Sequence, residues 1–151
     1  VVNVTSAADM ADVVKSRAAE QDIIIMTAAV ADFCPSHPAD EKIKKNDSSY
    51  ESVIELERTE DILSYLGAHK AKGQLICGFS METQNMLENS KAKLAKKNAD
   101  MIVANNLKVA GAGFGTDTNV VTLITADDCT ELEIMDKSCV AARIMDRLLQ
   151  M

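Results

Sequence analysis

The chain has 151 residues, 47% of them apolar, which is enough to form the core of one domain spanning residues 1–151. Its net charge of −7 and its aromatic content of 3% argue against nucleic acid or an anionic membrane surface as a partner. Four cysteines without a CxxC pair, and no apolar run of the roughly 20 residues that a membrane span needs, favour a cytoplasmic protein with reduced thiols.

Strand and helix patterns alternate from the start of the chain. VVNV at residues 1–4 is typical of a strand end, and Ser6 followed by Asp9 predicts the capped start of a helix that runs to about Ala19. DIIIMT at residues 22–27 is an almost uninterrupted apolar run. Such a run is typical of a parallel strand that is covered on both faces.

The middle of the chain continues this alternation. SVIELE at residues 52–57 alternates apolar and polar positions and predicts a half-exposed strand, after which Thr59 is suited to cap a helix. QLICGFS at residues 74–80 and DMIVAN at residues 100–105 predict two further buried strands. Between these strands the pattern predicts a long helix over about residues 82–97.

The last part of the chain changes to an antiparallel pattern. NVVTLIT at residues 119–125 and TELEIM at residues 130–135 flank a turn and predict a hairpin, which a helix over residues 137–149 follows. Buried strands that alternate with helices predict an α/β fold with a mostly parallel, doubly wound sheet, helices on both faces and this C-terminal antiparallel hairpin. The hairpin would leave an apolar edge exposed, which predicts pairing with a second copy in a homodimer.

Ligands of such sheets bind beyond the carboxyl ends of the strands, which here are residues 28–32, residues 79–82 and Asn105. Asp32 at this edge is suited to hold a metal ion or a sugar hydroxyl, and equally to cap a turn or a helix. Phe79 follows a glycine at a strand end, and taken alone it is more typical of core packing.

The basic residues are unevenly distributed. Seven of the sixteen lie in two short runs, namely Lys42, Lys44 and Lys45, and Lys91, Lys93, Lys96 and Lys97. Such clusters in an acidic chain are compatible with a local site for a polyanion, and Lys93 and Lys97 share one helix face because they are one turn apart. The alternative interpretation is a solvated loop for the first run, and for the second a solvated helix face that offsets the helix dipole.

Six motifs occur in an order and spacing that resemble phosphopantothenate–cysteine ligase, the coenzyme A enzyme also called phosphopantothenoylcysteine synthetase. They are AAVADF, EKIKK, TEDIL, GFSMET, KAKLAKKNADMIVANN and GFGTDTN. The resemblance covers residues 1–151 and implies a Rossmann-like fold and a homodimer. It also implies that CTP, with Mg²⁺, activates the carboxylate of 4′-phosphopantothenate as an acyl-cytidylate, which the amine of cysteine then attacks.

The resemblance also implies the site residues. Two lysines of a closing flap match the catalytic positions: Lys42 and Lys45. The positions that match the nucleotide contacts of the family are Thr27, Ala28, Ala29, Asp32, Asp61, Ile62, Phe79, Lys93 and Lys97. The metal ligands are not implied.

The chain departs from the family at its first residue. It starts without a methionine, downstream of a glycine-rich loop and an asparagine that the family has, so we expect the ligase domain to be incomplete at its N-terminus. One alternative is therefore a catalytically impaired nucleotide-binding module of the same fold. An unrelated α/β oxidoreductase is disfavoured, because GAGFG at residues 111–115 precedes a strand where a dinucleotide fingerprint precedes a helix.

Overall fold

The computed structural model describes residues 1–39, 41–42, 53–82, 85–106 and 115–151. The helices in these ranges are α1 (Ala7–Ala18), α2 (Ile62–Ala68), α3 (Met86–Lys97) and α4 (Lys137–Leu149). The strands are β1 (Ile23–Met26), β2 (Phe33–Pro35), β3 (Leu56–Arg58), β4 (Leu75–Glu82), β5 (Met101–Asn106), β6 (Thr118–Asn119), β7 (Val121–Ile124), β8 (Cys129–Glu131) and β9 (Met135–Asp136).

The central sheet has five strands in the order β1-β4-β5-β7-β8. The pairs β1–β4 and β4–β5 are parallel, whereas β5–β7 and β7–β8 are antiparallel. This topology confirms the predicted mostly parallel sheet that ends in an antiparallel hairpin. Because β1, β4 and β5 are parallel, their carboxyl ends lie at one edge of the sheet, as the sequence predicted.

Helices cover both faces of the sheet, and alternate side chains of each strand point to opposite helices. On one face α4 packs against a core that includes Met101, Val103 and Val121. On the other face α1 and α2 pack against β1 and β4, with Ile76 fully buried between them. β1 is an edge strand whose four residues are half-buried, and its apolar run packs alternately against the cores on the two faces of the sheet.

The C-terminal hairpin is part of the central sheet, and the prediction that it leaves its alternating apolar residues exposed is wrong for its first strand. All four residues of β7 are buried, because β7 lies between β5 and β8 and is covered on both faces. The exposed edge is β8. The homodimer stays a prediction.

The N-terminal segment shows one wrong and one confirmed prediction. Residues 1–4 form no strand, since none of the described strands pairs with them, and their side chains are exposed. The predicted helix start is confirmed by a capping box, in which the Asp9 amide donates to Ser6 Oγ at 3.1 Å and the Ser6 amide donates to Asp9 Oδ2 at 3.0 Å.

Two further helix starts differ from the prediction. Asp61, not Thr59, caps α2, because Thr59 is held elsewhere: its hydroxyl donates to the Ala31 carbonyl and its amide to the Asp32 carbonyl. The long helix α3 begins at Met86 rather than near residue 82, because β4 continues to pair with β5 as far as its last residue.

The segment between β1 and α2 contains a small ribbon that the sequence predicted only in part. The predicted strand at residues 52–57 corresponds to β3, which is exposed throughout and pairs antiparallel with β2. Among the described residues, no helix has the length and the apolar character needed to cross a membrane.

Helices α2 and α3 meet at Gly67, which is buried against the last turn of α3. A Cβ atom at this position would lie 1.8 Å from the carbonyl oxygen of Lys97. Asn98, which ends α3 at a φ of 48°, secures the contact, since its Nδ2 donates to the Gly67 carbonyl at 2.7 Å. Only glycine therefore allows this approach of the two backbones.

We expect Gly67→Ala to lower the free energy of unfolding by about 3 kcal/mol, because the added methyl group forces the two helices apart. Gly73→Ala is the matched control, since its φ is 83° but nothing lies within 4 Å of the added atom. At Gly73 the substitution adds only backbone strain, and we expect it to lower the free energy of unfolding by about 1–2 kcal/mol. Urea unfolding of the three proteins measures both effects, and equal losses would contradict the close-packing explanation.

Candidate functional site

A cavity of about 260 Å³ lies beyond the carboxyl end of β1, between the loop that follows this strand, the start of α2 and one face of α3. Seven of the nine predicted nucleotide-binding residues line it: Ala28, Asp32, Asp61, Ile62, Phe79, Lys93 and Lys97. Residues that are far apart in the sequence thus meet at the sheet edge where the sequence placed the site. The cavity is slightly smaller than typical whole ligand pockets, which span roughly 300–1,000 Å³.

Lys97 is the most strongly anchored cation of the cavity. Its side chain is only 14% exposed and forms a salt bridge with Asp61. Its Nζ atom also donates a hydrogen bond to Ser64 Oγ at 2.9 Å. The ammonium from the last turn of α3 is therefore held by two acceptors from the first turn of α2.

Lys93, one turn earlier on α3, has a different environment. Its Nζ atom donates to the backbone carbonyl of Phe79 at 2.8 Å, in the middle of β4 and one residue beyond the point where β1 ends beside it. Among the described residues, the salt bridges include none with Lys93. Its positive charge is therefore less compensated than that of Lys97. The predicted shared face of the two lysines is confirmed, since both line the cavity.

The carboxyl of Asp61 has a pKa below its usual value of 3.8. Partial burial acts in the opposite direction, but the hydrogen bonds from Lys97 and Ser64 outweigh it. One of these bonds caps α2, because the Ser64 amide donates to Asp61 Oδ1 at 2.9 Å. One carboxylate therefore starts the helix and pairs with the lysine.

The loop after β1 provides a wall of small side chains. Ala28, Val30 and Ala31 line the cavity and leave the backbone open to close approach. Thr59 ties this loop to the end of β3 through its two hydrogen bonds. The wall is thus fixed by the chain segment that leads into α2.

The acidic residues of the cavity differ in how far they are neutralised. Glu60 pairs with Lys15 of α1 at 2.7 Å, and Asp61 pairs with Lys97. Asp32 is exposed and takes part in no salt bridge within the described part of the chain. It remains available for a metal ion or a sugar hydroxyl, the two ligands that the sequence suggested.

The remaining predicted residues lie outside the lining of the cavity. Thr27 and Ala29 occupy exposed positions next to Ala28, but unlike Ala28 they do not line the cavity. Lys42 is exposed and belongs to no helix or strand. Lys45 lies outside the described residues. Phe79 lines the cavity, and it also packs against the core on the α4 face, so both interpretations of this residue have support.

Sequence reasoning missed Ser64 and mistook the role of Thr59. The sequence did contain a signal for Ser64, because it lies three residues after Asp61. An N-cap side chain accepts a hydrogen bond from the backbone amide at that position. That its hydroxyl would meet Lys97 depends on how α2 crosses α3. No local pattern carries this information.

Comparisons with known proteins show the family to which the chain is similar. The family described as DNA/pantothenate metabolism flavoprotein C-terminal domain matches residues 1–151. The coenzyme A biosynthesis bifunctional protein CoaBC of Bacillus subtilis (strain 168) is 47% identical over 148 residues, which are 97% of this chain and 36% of that protein. A protein named cysteine/cysteine sulfinic acid decarboxylase, from an unknown prokaryotic organism, is 45% identical over 150 residues, 99% of this chain and 41% of that protein.

The chain thus spans about two fifths of the length of these curated relatives. Among solved structures, the crystal structure of the C-terminal domain of the bifunctional protein CoaBC is similar, with a TM-score of 0.78 and 41% sequence identity. The likeness covers 99% of this chain and 66% of that one. It confirms the predicted Rossmann-like fold class.

Asp61→Asn keeps an acceptor for the cap of α2 but removes the charge that pairs with Lys97. At pH 7 we expect the free energy of unfolding to fall by at most about 1 kcal/mol, because the ion pair is partly exposed and solvent screens it. The pKa of Asp61 is lower in the folded than in the unfolded chain, so this contribution is fully present above about pH 4 and disappears as the pH falls further.

Urea unfolding of the wild type and Asp61→Asn at neutral and acidic pH measures this difference. The same substitution in a Lys97→Met background is the control. A pH dependence of equal size in that background would show that the ion pair is not its source.

Proposed function

The chain belongs to the family of DNA/pantothenate metabolism flavoprotein C-terminal domains, and we propose that it performs the ligase reaction of coenzyme A biosynthesis. In this reaction CTP and 4′-phosphopantothenate form an acyl-cytidylate and pyrophosphate. The amine of L-cysteine then attacks the acyl carbon, which forms the amide and releases CMP. The name of the Bacillus subtilis relative, together with the six motifs, supports this proposal.

The observation that carries the proposal is the composition of the cavity. Two ammonium groups on adjacent turns of α3 face a wall of small side chains at the carboxyl edge of a parallel sheet. Lysines on one side suit the phosphates of a nucleotide, and small residues on the other allow the backbone to contact its base and sugar. Because the lysines are preformed, they stabilise phosphate charge without a large reorganisation.

The chemistry needs such a site because a carboxylate is a poor acceptor for an amine. Esterifying it to the nucleotide phosphate supplies a leaving group, and the protein has to align the reactants and balance the charge of the triphosphate. Within the described residues, Lys93 and Lys97 are suited to this balance from α3. We propose that Lys42 adds a further cation, which meets the reacting phosphate and carboxylate, and that Lys45 contributes to substrate binding.

The residues of the cavity fit Mg²⁺ that enters with the nucleotide. Asp32 offers one carboxylate, and the described residues contain no group of three acidic, histidine or cysteine side chains that would hold an ion by themselves. Magnesium typically takes one or two protein carboxylates and fills its other positions with phosphate oxygens and water. When bound, it would withdraw negative charge from the phosphates.

The setting of the reaction is also a proposal. We propose the cytoplasm, since all four cysteines are free thiols, which suits a reducing compartment. We also propose a homodimer in which the exposed edge strand β8 meets its copy.

We expect the full-length polypeptide that carries this chain to release pyrophosphate when CTP and 4′-phosphopantothenate are supplied, and to form the cysteine amide when L-cysteine is added. ATP should support a much lower rate at subsaturating concentration, and a strong chelator should stop the reaction because Mg²⁺ is removed. Mass spectrometry of the product and a pyrophosphate assay measure these outcomes. Binding of CTP without either step would favour the catalytically impaired module instead.

Lys42→Gln tests the proposed flap lysine. Removing one cation that meets charge developing in the transition state lowers the rate by roughly 10²–10³. Stability should barely change, because the side chain is exposed and outside the helices and strands. Lys72→Gln is the matched control, since Lys72 is exposed before the amino end of β4, at the opposite edge of the sheet. A Lys42→Gln protein with the wild-type turnover would refute the proposed role.

A further inference from the structure

We propose that Ser64 is a positioning residue that aims the ammonium of Lys97 into the cavity and thereby aligns a phosphate group of the nucleoside triphosphate. Ser64 is not among the residues that match the family motifs, and it does not line the cavity itself. The inference deepens the proposed function and rests on it, since it assigns a task at the same site to a residue behind the lining.

The geometry starts from the crossing of two helices. Lys97 lies in the last turn of α3, and Ser64 lies in the first turn of α2, where its hydroxyl accepts a hydrogen bond from Lys97 Nζ at 2.9 Å. The contact of Gly67 with the backbone of Lys97 holds these helix segments together. Ser64 and Lys97 are far apart in the sequence. They meet because the backbones of α2 and α3 are in close contact at Gly67.

The chemistry of the ammonium group explains what this contact does. A lysine ammonium has three N–H donors in tetrahedral directions. Asp61 and Ser64 occupy two of them, so the direction of the third donor is determined. A carboxylate alone attracts the charge without fixing its orientation, whereas two acceptors on one rigid helix define it. The third N–H of Lys97 is thus prepared for an anion before one arrives.

Ser64 acts on both members of the ion pair. Its amide donates to Asp61 Oδ1, which orients the carboxylate, and its hydroxyl accepts from Lys97. Ser64→Ala removes only the hydroxyl and leaves the amide of the helix cap in place. The substitution therefore removes the hydroxyl's contacts with Lys97 and with the Asp61 carboxylate, while the amide bond that starts α2 remains.

The first measurement is the affinity for CTP in the presence of Mg²⁺, determined by titration calorimetry on the full-length polypeptide. We expect Ser64→Ala to weaken CTP binding about tenfold, the usual effect of losing one hydrogen bond to a charged group. Ser64→Thr, which keeps the hydroxyl, should bind CTP within about twofold of the wild type. In a Lys97→Met background, Ser64→Ala should have no further effect, because the group that it positions is gone.

The matched control is Ser16→Ala on α1. Ser16 is also a helical serine, and its hydroxyl donates to a backbone carbonyl, that of Val13, at 2.9 Å, but it is exposed and does not line the cavity. The Ser16→Ala substitution should leave the affinity for CTP unchanged. A merely structural effect of losing a helical hydroxyl would appear in both variants, and in both lysine backgrounds.

The second measurement does not depend on a nucleotide. Acetylation of lysines by an N-hydroxysuccinimide ester, followed by peptide mass spectrometry, reports how accessible the amine of each lysine is to the reagent. We expect Ser64→Ala to raise the labelling rate of Lys97 several-fold, whereas the exposed neighbour Lys96 keeps its rate and serves as the internal reference. A rise confined to Lys97 supports the positioning role.

The outcomes separate the two proposals. An unchanged labelling rate of Lys97, an unchanged affinity of Ser64→Ala for CTP, or an equal loss of affinity in the Lys97→Met background would each overturn the role of Ser64. A wild-type protein that binds neither CTP nor ATP, but whose Lys97 is labelled faster in Ser64→Ala, would overturn the proposed function alone. The result would still support the conclusion that Ser64 holds Lys97 in position.

Discussion

The close approach of α2 to the end of α3 at Gly67 is the contact on which the site depends. The missing side chain allows the Lys97 carbonyl to lie against the helix, and Asn98 closes the contact with a hydrogen bond to the Gly67 carbonyl. With the backbones fixed at this point, the side chain of Lys97 reaches the first turn of α2 and meets Asp61 and Ser64. A packing constraint in the helices thus sets the position of a charge in the cavity.

The sheet supplies the second part of the site through strands of unequal length. β1 ends at Met26, which is in register with Gly78, whereas β4 continues to its last residue, Glu82. This difference leaves a step beyond the end of β1. The loop of small residues covers one side of the step, and Phe79 on the longer strand offers its carbonyl to Lys93 on the other. The cavity therefore follows from strand length and register as much as from side chains.

Much of this arrangement was predictable from local pattern. The apolar run of β1, the capping box at Ser6 and the one-turn spacing of the lysines each depend on residues close in sequence. Prediction failed where two local patterns were equally good and contacts with residues distant in the sequence decided between them. Thr59 and Asp61 are both good helix caps, and the bonds of Thr59 to the loop after β1 leave the cap to Asp61. The burial of β7 likewise depends on its neighbours in the sheet, which alternation along one strand does not show.

The charges of the cavity explain how an acidic chain can keep two cations in place for the polyanion of the proposed function. Two ammonium groups one turn apart on a helix repel each other, and this repulsion would push one of them into solvent when no ligand is bound. Asp61 compensates one of the two, so Lys97 stays largely buried, while Lys93 is held by a neutral carbonyl and keeps its net charge. The pair therefore combines one anchored cation with one that is electrically uncompensated within the described residues. In the proposed function an arriving phosphate would meet donors that are already oriented, so that binding costs less conformational entropy than ordering two flexible lysines.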